Sequence, residues 1–183
     1  KVTSPNDTLT YLKYDMSLLN GIVYCELGEM GMYKNGKKDG LSRIWHGDQL
    51  VEESFFKDGK LDGLCKQWDK WNGQLVLLGN YKDGKRDGWW KSYFDIEALS
   101  GIICNEGNYK DGMKIGKWRE GWYYYKYYYD YEELVLGWGE GYYTDGKKDG
   151  LWKGIYEDGR LDYERNYKDD KRDGLCKAWY ENG

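Results

Sequence analysis

Aliphatic side chains are scarce in this chain. Leucine, isoleucine, valine and phenylalanine make 33 of its 183 residues, about 18 %, which is the range where a chain struggles to bury enough apolar surface to hold a fold. There is one proline, Pro5, and one histidine, His46, set where a turn is expected. No Gly-x-Ser-x-Gly elbow, phosphate-binding loop or local Cys-His signature is present, so the chain reads as a protein other than an enzyme, with no cofactor. The four cysteines form no Cys-x-x-Cys pair, and they indicate neither a zinc framework nor a disulfide scaffold. Free thiols suit a reducing compartment, which favours the cytoplasm or the interior of a larger assembly over secretion. No apolar stretch reaches the ~20 residues that span a bilayer. Net charge is only −4; turn lysines have aspartates close by, so no basic stripe invites nucleic acid.

Two features oppose disorder. The net charge is low, and the chain carries 10 Trp and 20 Tyr, each hiding roughly 150–250 Å² when buried. Rings rather than aliphatic chains must drive folding.

The rings recur within one repeated phrase: aromatic, Lys, Asp or Asn, Gly, Lys, any, Asp, Gly, apolar, any, Lys or Arg, any, aromatic. It begins at Tyr33, Phe56, Tyr81, Tyr109, Tyr143 and Tyr167, anchors that are 23, 25, 28, 34 and 24 residues apart. A degenerate copy precedes them, with Tyr14 and Asn20-Gly21-Ile22 keeping the same internal interval. Residues 1–13 read as an opening strand or linker and 14–183 as the array. A short fixed period means one supersecondary unit stacked many times, each burying its apolar face against its neighbours.

Within a unit, Val, Tyr, Trp and Phe favour strands. Asn-Gly or Asp-Gly between apolar runs signals a hairpin, because type I′ turns need positive φ at both central residues. Such pairs stand at Asn35-Gly36, Asp58-Gly59, Asp83-Gly84, Asp111-Gly112 and Asp145-Gly146, with Asp169-Asp170 as the exception. Second turns are expected at Asn72-Gly73, Asp158-Gly159 and Asn182-Gly183, and more loosely at Gly47-Asp48. The fold class is therefore all-β: antiparallel hairpin repeats forming a single-layer meander, curved by strand twist into a trough. The second glycine of the phrase (Gly40, Gly63, Gly88, Gly116, Gly150, Gly174) marks a bulge or a close approach, and ring-over-glycine contacts are expected there.

These units resemble the bacterial variant of MORN repeats, the YwqK-type antitoxin family, through the pattern in Tyr81–Tyr93, Tyr143–Leu161 (YTDGKKDGLWKGIYEDGRL) and Tyr167–Gly183. The resemblance covers roughly residues 14–183. It implies a β-hairpin solenoid without chemistry of its own, found in bacteria and giant DNA viruses and associated with scaffolding, protein–protein contact and membrane apposition. It supplies no catalytic residues. Two long insertions, 95–106 and 120–138, depart from the pattern.

The longer insertion holds the candidate partner-binding residues Trp122, Tyr123, Tyr124, Tyr125, Lys126, Tyr127, Tyr128, Tyr129 and Tyr131. Insertions in repeat arrays tend to fall on the binding face, and tyrosine offers rigid area with a polar tip. The plainer alternative is two lengthened strands with rings on both faces. A row of cations, Arg43, Lys66, Lys91, Arg119, Lys153 and Lys177, suggests a ladder over rings that grips an anionic partner or glycan, against a solvated face whose stems cover the aromatics. The expected function is a non-catalytic scaffold that binds a protein partner, antitoxin-like as the family label implies. The alternative is a carbohydrate, cell-wall or membrane-surface module using the aromatic face. The two end strands of an open meander also invite weak self-association. Cys65 and Cys176 take the register held by Trp90, Trp118 and Trp152, as small apolar substitutes.

Overall fold

A computed structural model describes residues 20–25, 28–127 and 129–180. Residues 1–13, Tyr14, Tyr128 and the Asn182-Gly183 turn lie outside the described residues. The described residues fall into two compact units, one within 20–87 with 95–101 and the other within 88–94 with 102–180.

In the first unit β1 (Gly21–Cys25), β2 (Glu29–Lys34), β3 (Lys37–His46), β4 (Gln49–Lys57), β5 (Lys60–Trp68) and β6 (Leu75–Lys82) follow one another as an antiparallel meander. Strand β7 (Lys85–Tyr93) begins in the first unit and ends in the second. The second unit continues with β8 (Ile103–Lys110), β9 (Met113–Tyr127), β10 (Glu132–Thr144), β11 (Lys147–Tyr156), β12 (Leu161–Lys168) and β13 (Lys171–Ala178), again antiparallel in chain order. The shorter insertion holds a 3₁₀ turn, Glu97–Leu99, with Leu99 buried.

The hairpin turns form as the dipeptides dictate. Asn35, Asp58, Asp83, Asp111 and Asp145 lie at φ 49–50° and their glycines at 74–87°, the type I′ signature at both positions. Asp169-Asp170 adopts the same turn without a glycine, at φ 50° and 67°. There the Asp170 Oδ1 accepts the Lys148 N–H at 2.8 Å, and the Asp170 N–H donates to the Lys148 carbonyl at 3.0 Å. Those bonds hold a conformation that L-residues adopt reluctantly.

The second aspartate of the phrase fastens one turn to the next. Asp39 Oδ2 accepts the Asp58 N–H at 3.2 Å, and Asp62 Oδ2 accepts the Asp83 N–H at 3.1 Å. Asn20 Oδ1 does the same for the Asn35 N–H at 2.9 Å. Backbone bonds run beside these, from Gly59 N–H to the Lys38 carbonyl at 2.8 Å and from Gly84 N–H to the Leu61 carbonyl at 2.7 Å. In the second unit Gly146 N–H donates to the Lys114 carbonyl at 3.0 Å.

The second glycine sits in a bulge, as expected, but of the six positions only Gly63 has a ring-bearing side chain beside it, Phe55, with Cβ and Cγ 3.0 and 3.6 Å from where a Cβ would stand. Between the pairs Ser54↔Cys65 and Phe56↔Leu61, strand β5 carries extra residues that include Gly63; Gly150 holds the same place in β11. A Cβ at Gly88, Gly116 or Gly150 would meet nothing within 4 Å. Positive φ is what these positions require, 85° at Gly88, 67° at Gly116 and 82° at Gly150. Gly88→Val should therefore lower stability by about 1–2 kcal/mol through backbone strain alone, and Gly88→Asn by less, since asparagine tolerates this region. Thermal melts of the two variants check this; equal losses would point to a contact instead.

The rings lie on other glycines. In the second unit one row of paired residues reads Trp90↔Gly107↔Trp118↔Gly141. A Cβ at Gly107 would fall inside the indole of Trp118, and one at Gly141 inside that of Trp152. Trp118 Nε1 donates to the Asn108 carbonyl at 3.1 Å, and Trp152 Nε1 to the Tyr142 carbonyl at 3.2 Å. Each indole thus lies across the preceding strand on a bare glycine. Anchor tyrosines fill the gaps, giving an edge-to-face chain Trp90–Tyr109–Trp118–Tyr143–Trp152 with centroids 5.0–6.0 Å apart. Such pairs add ~0.5–1.5 kcal/mol each beyond their buried area.

In the first unit the same row is small: Gly31↔Ser42↔Ser54↔Cys65↔Gly79. Ser42, Ser54 and Cys65 are buried. Cys65 fills its register position as expected, and burial, then the Glu52 carboxylate, push its thiol up to about 11. Cys176, in the same register of β13, is exposed.

Candidate functional site

The longer insertion folds as the distal part of the β9–β10 hairpin. The ladder with β8 begins at Asn105↔Glu120 and that with β11 at Gly137↔Tyr156. Beyond those points, from Tyr123↔Leu136 to Tyr127↔Glu132, the two strands are laddered only to each other.

Strand alternation distributes the candidate residues over both faces. Tyr123, Tyr125 and Tyr127 share one face with Leu134 and Leu136, their cross-strand partners being Leu136, Leu134 and Glu132. Phe94 stands edge-on to Tyr123 at 5.5 Å, and Tyr125 follows Tyr123 at 6.4 Å. On the other face Trp122 stacks on Tyr124 at 6.0 Å and meets Tyr156 edge-on at 5.5 Å. A Cβ at Gly137 would fall inside the Trp122 indole, so the glycine–ring rule extends into the insertion. Lys126 is opposite Glu133. Tyr123, Tyr124 and Tyr125 are each 38–40 % exposed, while Tyr127, Tyr129 and Tyr131 are more exposed still, at 75 %, 107 % and 58 %. The Trp122 Nε1 is buried and has no partner among the described residues.

The cation row is placed differently from the ladder over rings that the sequence suggests. Each member is paired across the sheet with an acid. The second unit reads Lys91↔Glu106↔Arg119↔Glu140↔Lys153↔Glu164↔Lys177, and the first Arg43↔Glu53↔Lys66. Arg43 reaches Glu53 at 2.8 Å, Lys153 reaches Glu164 at 3.0 Å and Lys91 reaches Glu106 at 3.7 Å. Two of the row also lie over an indole, Arg119 with its guanidinium 3.9 Å from the Trp138 ring and Lys91 with its ammonium 5.8 Å from that of Trp89. Opposite charges directly across strands stabilise the pair, and they leave little net positive charge to hold an anion.

A second set of cations lies on the ring face. The position written as any in the phrase is basic in five of six copies, at Lys38, Arg86, Lys114, Lys148 and Arg172. Lys114 lies 4.4 Å over Trp118 and Lys148 3.8 Å over Trp152. Both converge on Glu120, at 2.5 and 2.8 Å, and the Tyr143 hydroxyl donates to the same carboxylate at 2.7 Å. Lys38 repeats the device in the first unit, paired with Glu29 and 4.9 Å over Phe56. The recurrence of Lys or Arg at one position was the available signal; the acid that answers it stands outside the phrase. His46 stands edge-on to Trp71 at 5.9 Å. No group of three His, Cys, Asp or Glu side chains among the described residues could hold a metal ion.

Between the distal hairpin and the turn after β11 lies a cleft of about 310 Å³, with Leu134, Leu136 and Tyr156 among its lining residues and Glu133, Glu157 and Asp158 as its acids. No protein-family model matches the chain, and no curated protein does.

Proposed function

We propose that the chain is a non-catalytic scaffold of variant MORN-type repeats that binds a protein partner through the distal β9–β10 hairpin. The carrying observation is a contrast within the second unit. The repeat face closes upon itself, with Trp118, Tyr143 and Trp152 buried in an edge-to-face chain and the opposite face neutralised by cross-strand ion pairs. Trp89, Tyr142 and Leu151, large apolar side chains exposed on that face, are each paired with a polar residue (Asn108, Lys117 and Asn166), whereas the hairpin presents contiguous exposed rings, Tyr124 on one face and Tyr123, Tyr125 and Tyr127 on the other. Aromatic residues enriched at a patch with little charge at its centre are the usual core of an interface.

The register sets the shape of the test. Removing residues 122–137 and inserting Asn-Gly joins Gly121 to Trp138, which already face each other, so the shortened hairpin keeps its pairing. Capture from a lysate by the full chain is expected to yield a protein that the shortened chain loses. Equal retention by both of insoluble wall glycan or of liposomes, with no protein, would move the binding function to the repeat face.

A further inference from the structure

We infer that the open edge of β10 at Glu132–Leu136 accepts an extended basic peptide segment as an added strand. This rests on the hairpin being the binding element and specifies what it binds and how. Strand β11 joins β10 only from Gly137 onward, so the preceding residues are laddered to β9 alone. Among the described residues one backbone bond outside the ladders reaches across this edge, from the Glu157 N–H to the Leu136 carbonyl at 2.9 Å. That bond fixes which groups point outward. By alternation the N–H and C=O of Leu134 and Glu132 face the same side, and the 310 Å³ cleft lies beside them. A strand edge offering its backbone donors and acceptors is the template for strand addition.

Charge selects the occupant. Asp158 is tied to Arg160 at 2.6 Å and Glu133 faces Lys126, whereas Glu132 and Glu157 carry no ion pair among the described residues. A second copy offering the same edge would set these carboxylates against their own kind, and like charges opposite each other destabilise a strand pair. A strand bearing lysine or arginine satisfies them instead. By alternation a residue between the basic ones projects on the other face, beside Val135 and the exposed Tyr124, where an apolar side chain fits.

The test uses the full chain and a fluorescein-labelled Lys-Val-Lys-Val-Lys amide, read by fluorescence polarisation at low salt. Saturable binding is expected, and the same peptide N-methylated at every residue should bind at least about tenfold more weakly. Leu134→Pro removes an outward N–H while sparing the β9 ladder, so it should weaken the peptide by about tenfold at nearly unchanged melting temperature. If that variant fails to fold, the N-methylated peptide decides. Glu132→Lys combined with Glu157→Lys should transfer preference to Glu-Val-Glu-Val-Glu. No saturable binding at millimolar peptide, or equal binding of the N-methylated form, overturns the proposal; so does a dimer in sedimentation that Leu134→Pro dissolves. Hairpin-dependent protein capture without peptide binding would sink the strand-addition mode alone and leave the partner-binding role standing. Capture that survives removal of the hairpin would sink the role itself.

Discussion

Gly141→Ala should destabilise the fold by about 3 kcal/mol, at the upper end for an overpacked core, and lower the melting temperature of the 183-residue chain by roughly 6–12 °C. The added methyl would fall inside the indole of Trp152. That ring is wholly buried and held by its N–H bond to the Tyr142 carbonyl, so it has nowhere to retreat. Trp152→Ala should itself cost about 3–5 kcal/mol. The two losses should not add: once the indole is gone the alanine at 141 has room, and a double-mutant cycle should return a coupling of about 2 kcal/mol. Additive losses, measured by chemical denaturation, would mean that ring and glycine do not share one space.

Glu120→Gln is expected to cost about 2–3 kcal/mol at neutral pH, because it leaves the Lys114 and Lys148 ammonium groups converging on a neutral side chain. Burial opposes ionisation of Glu120, yet hydrogen bonds from Lys114, Lys148 and Tyr143 outweigh it and hold the carboxyl below its ordinary range. Below the ordinary glutamate value of about 4.3, the unfolded chain takes up a proton that the folded chain resists, so stability falls with falling pH. Tyr143 acts in the opposite direction. Burial first, then the Glu120 carboxylate, push its phenol up well beyond the ordinary range. Above about pH 10 the unfolded phenol ionises while the folded one keeps its proton, and stability falls with rising pH. Denaturation across both limbs should show the acid loss reduced in Glu120→Gln and the alkaline loss reduced in Tyr143→Phe. Limbs unchanged by either variant would remove this carboxylate from the pH response.

The turns were legible because their cause is local: an Asn-Gly or Asp-Gly pair favours positive φ wherever it stands. Asp169-Asp170 shows the limit, since the bonds to Lys148 impose the same turn on a sequence without the glycine. The second glycines stand in bulges, as the phrase implies, but apart from Phe55 beside Gly63 the rings lie on other glycines. Which glycine a ring covers depends on the offset between two strands, and Trp118 on Gly107 or Trp152 on Gly141 cannot be paired from within one unit. The meeting of Lys114 and Lys148 at Glu120 was hidden for the same reason, as it joins three separate strands. In the insertion, rings at every position from Trp122 to Tyr125 erase the alternation that would assign faces, so the sequence defined a long aromatic segment and the register alone showed it as a two-faced hairpin.

The aspartate fastening between successive turns has a direction. Asp39 belongs to one unit and serves the backbone of the next at Asp58, and Asp62 does the same for Asp83. A unit copied whole therefore arrives with a donor that fits the unit before it and an acceptor that fits the unit after it. Gene duplication can lengthen or shorten such an array by whole repeats without inventing a new joint. Selection is then free to act on a single interior copy, as the long β9–β10 hairpin illustrates, while its neighbours keep the common measure.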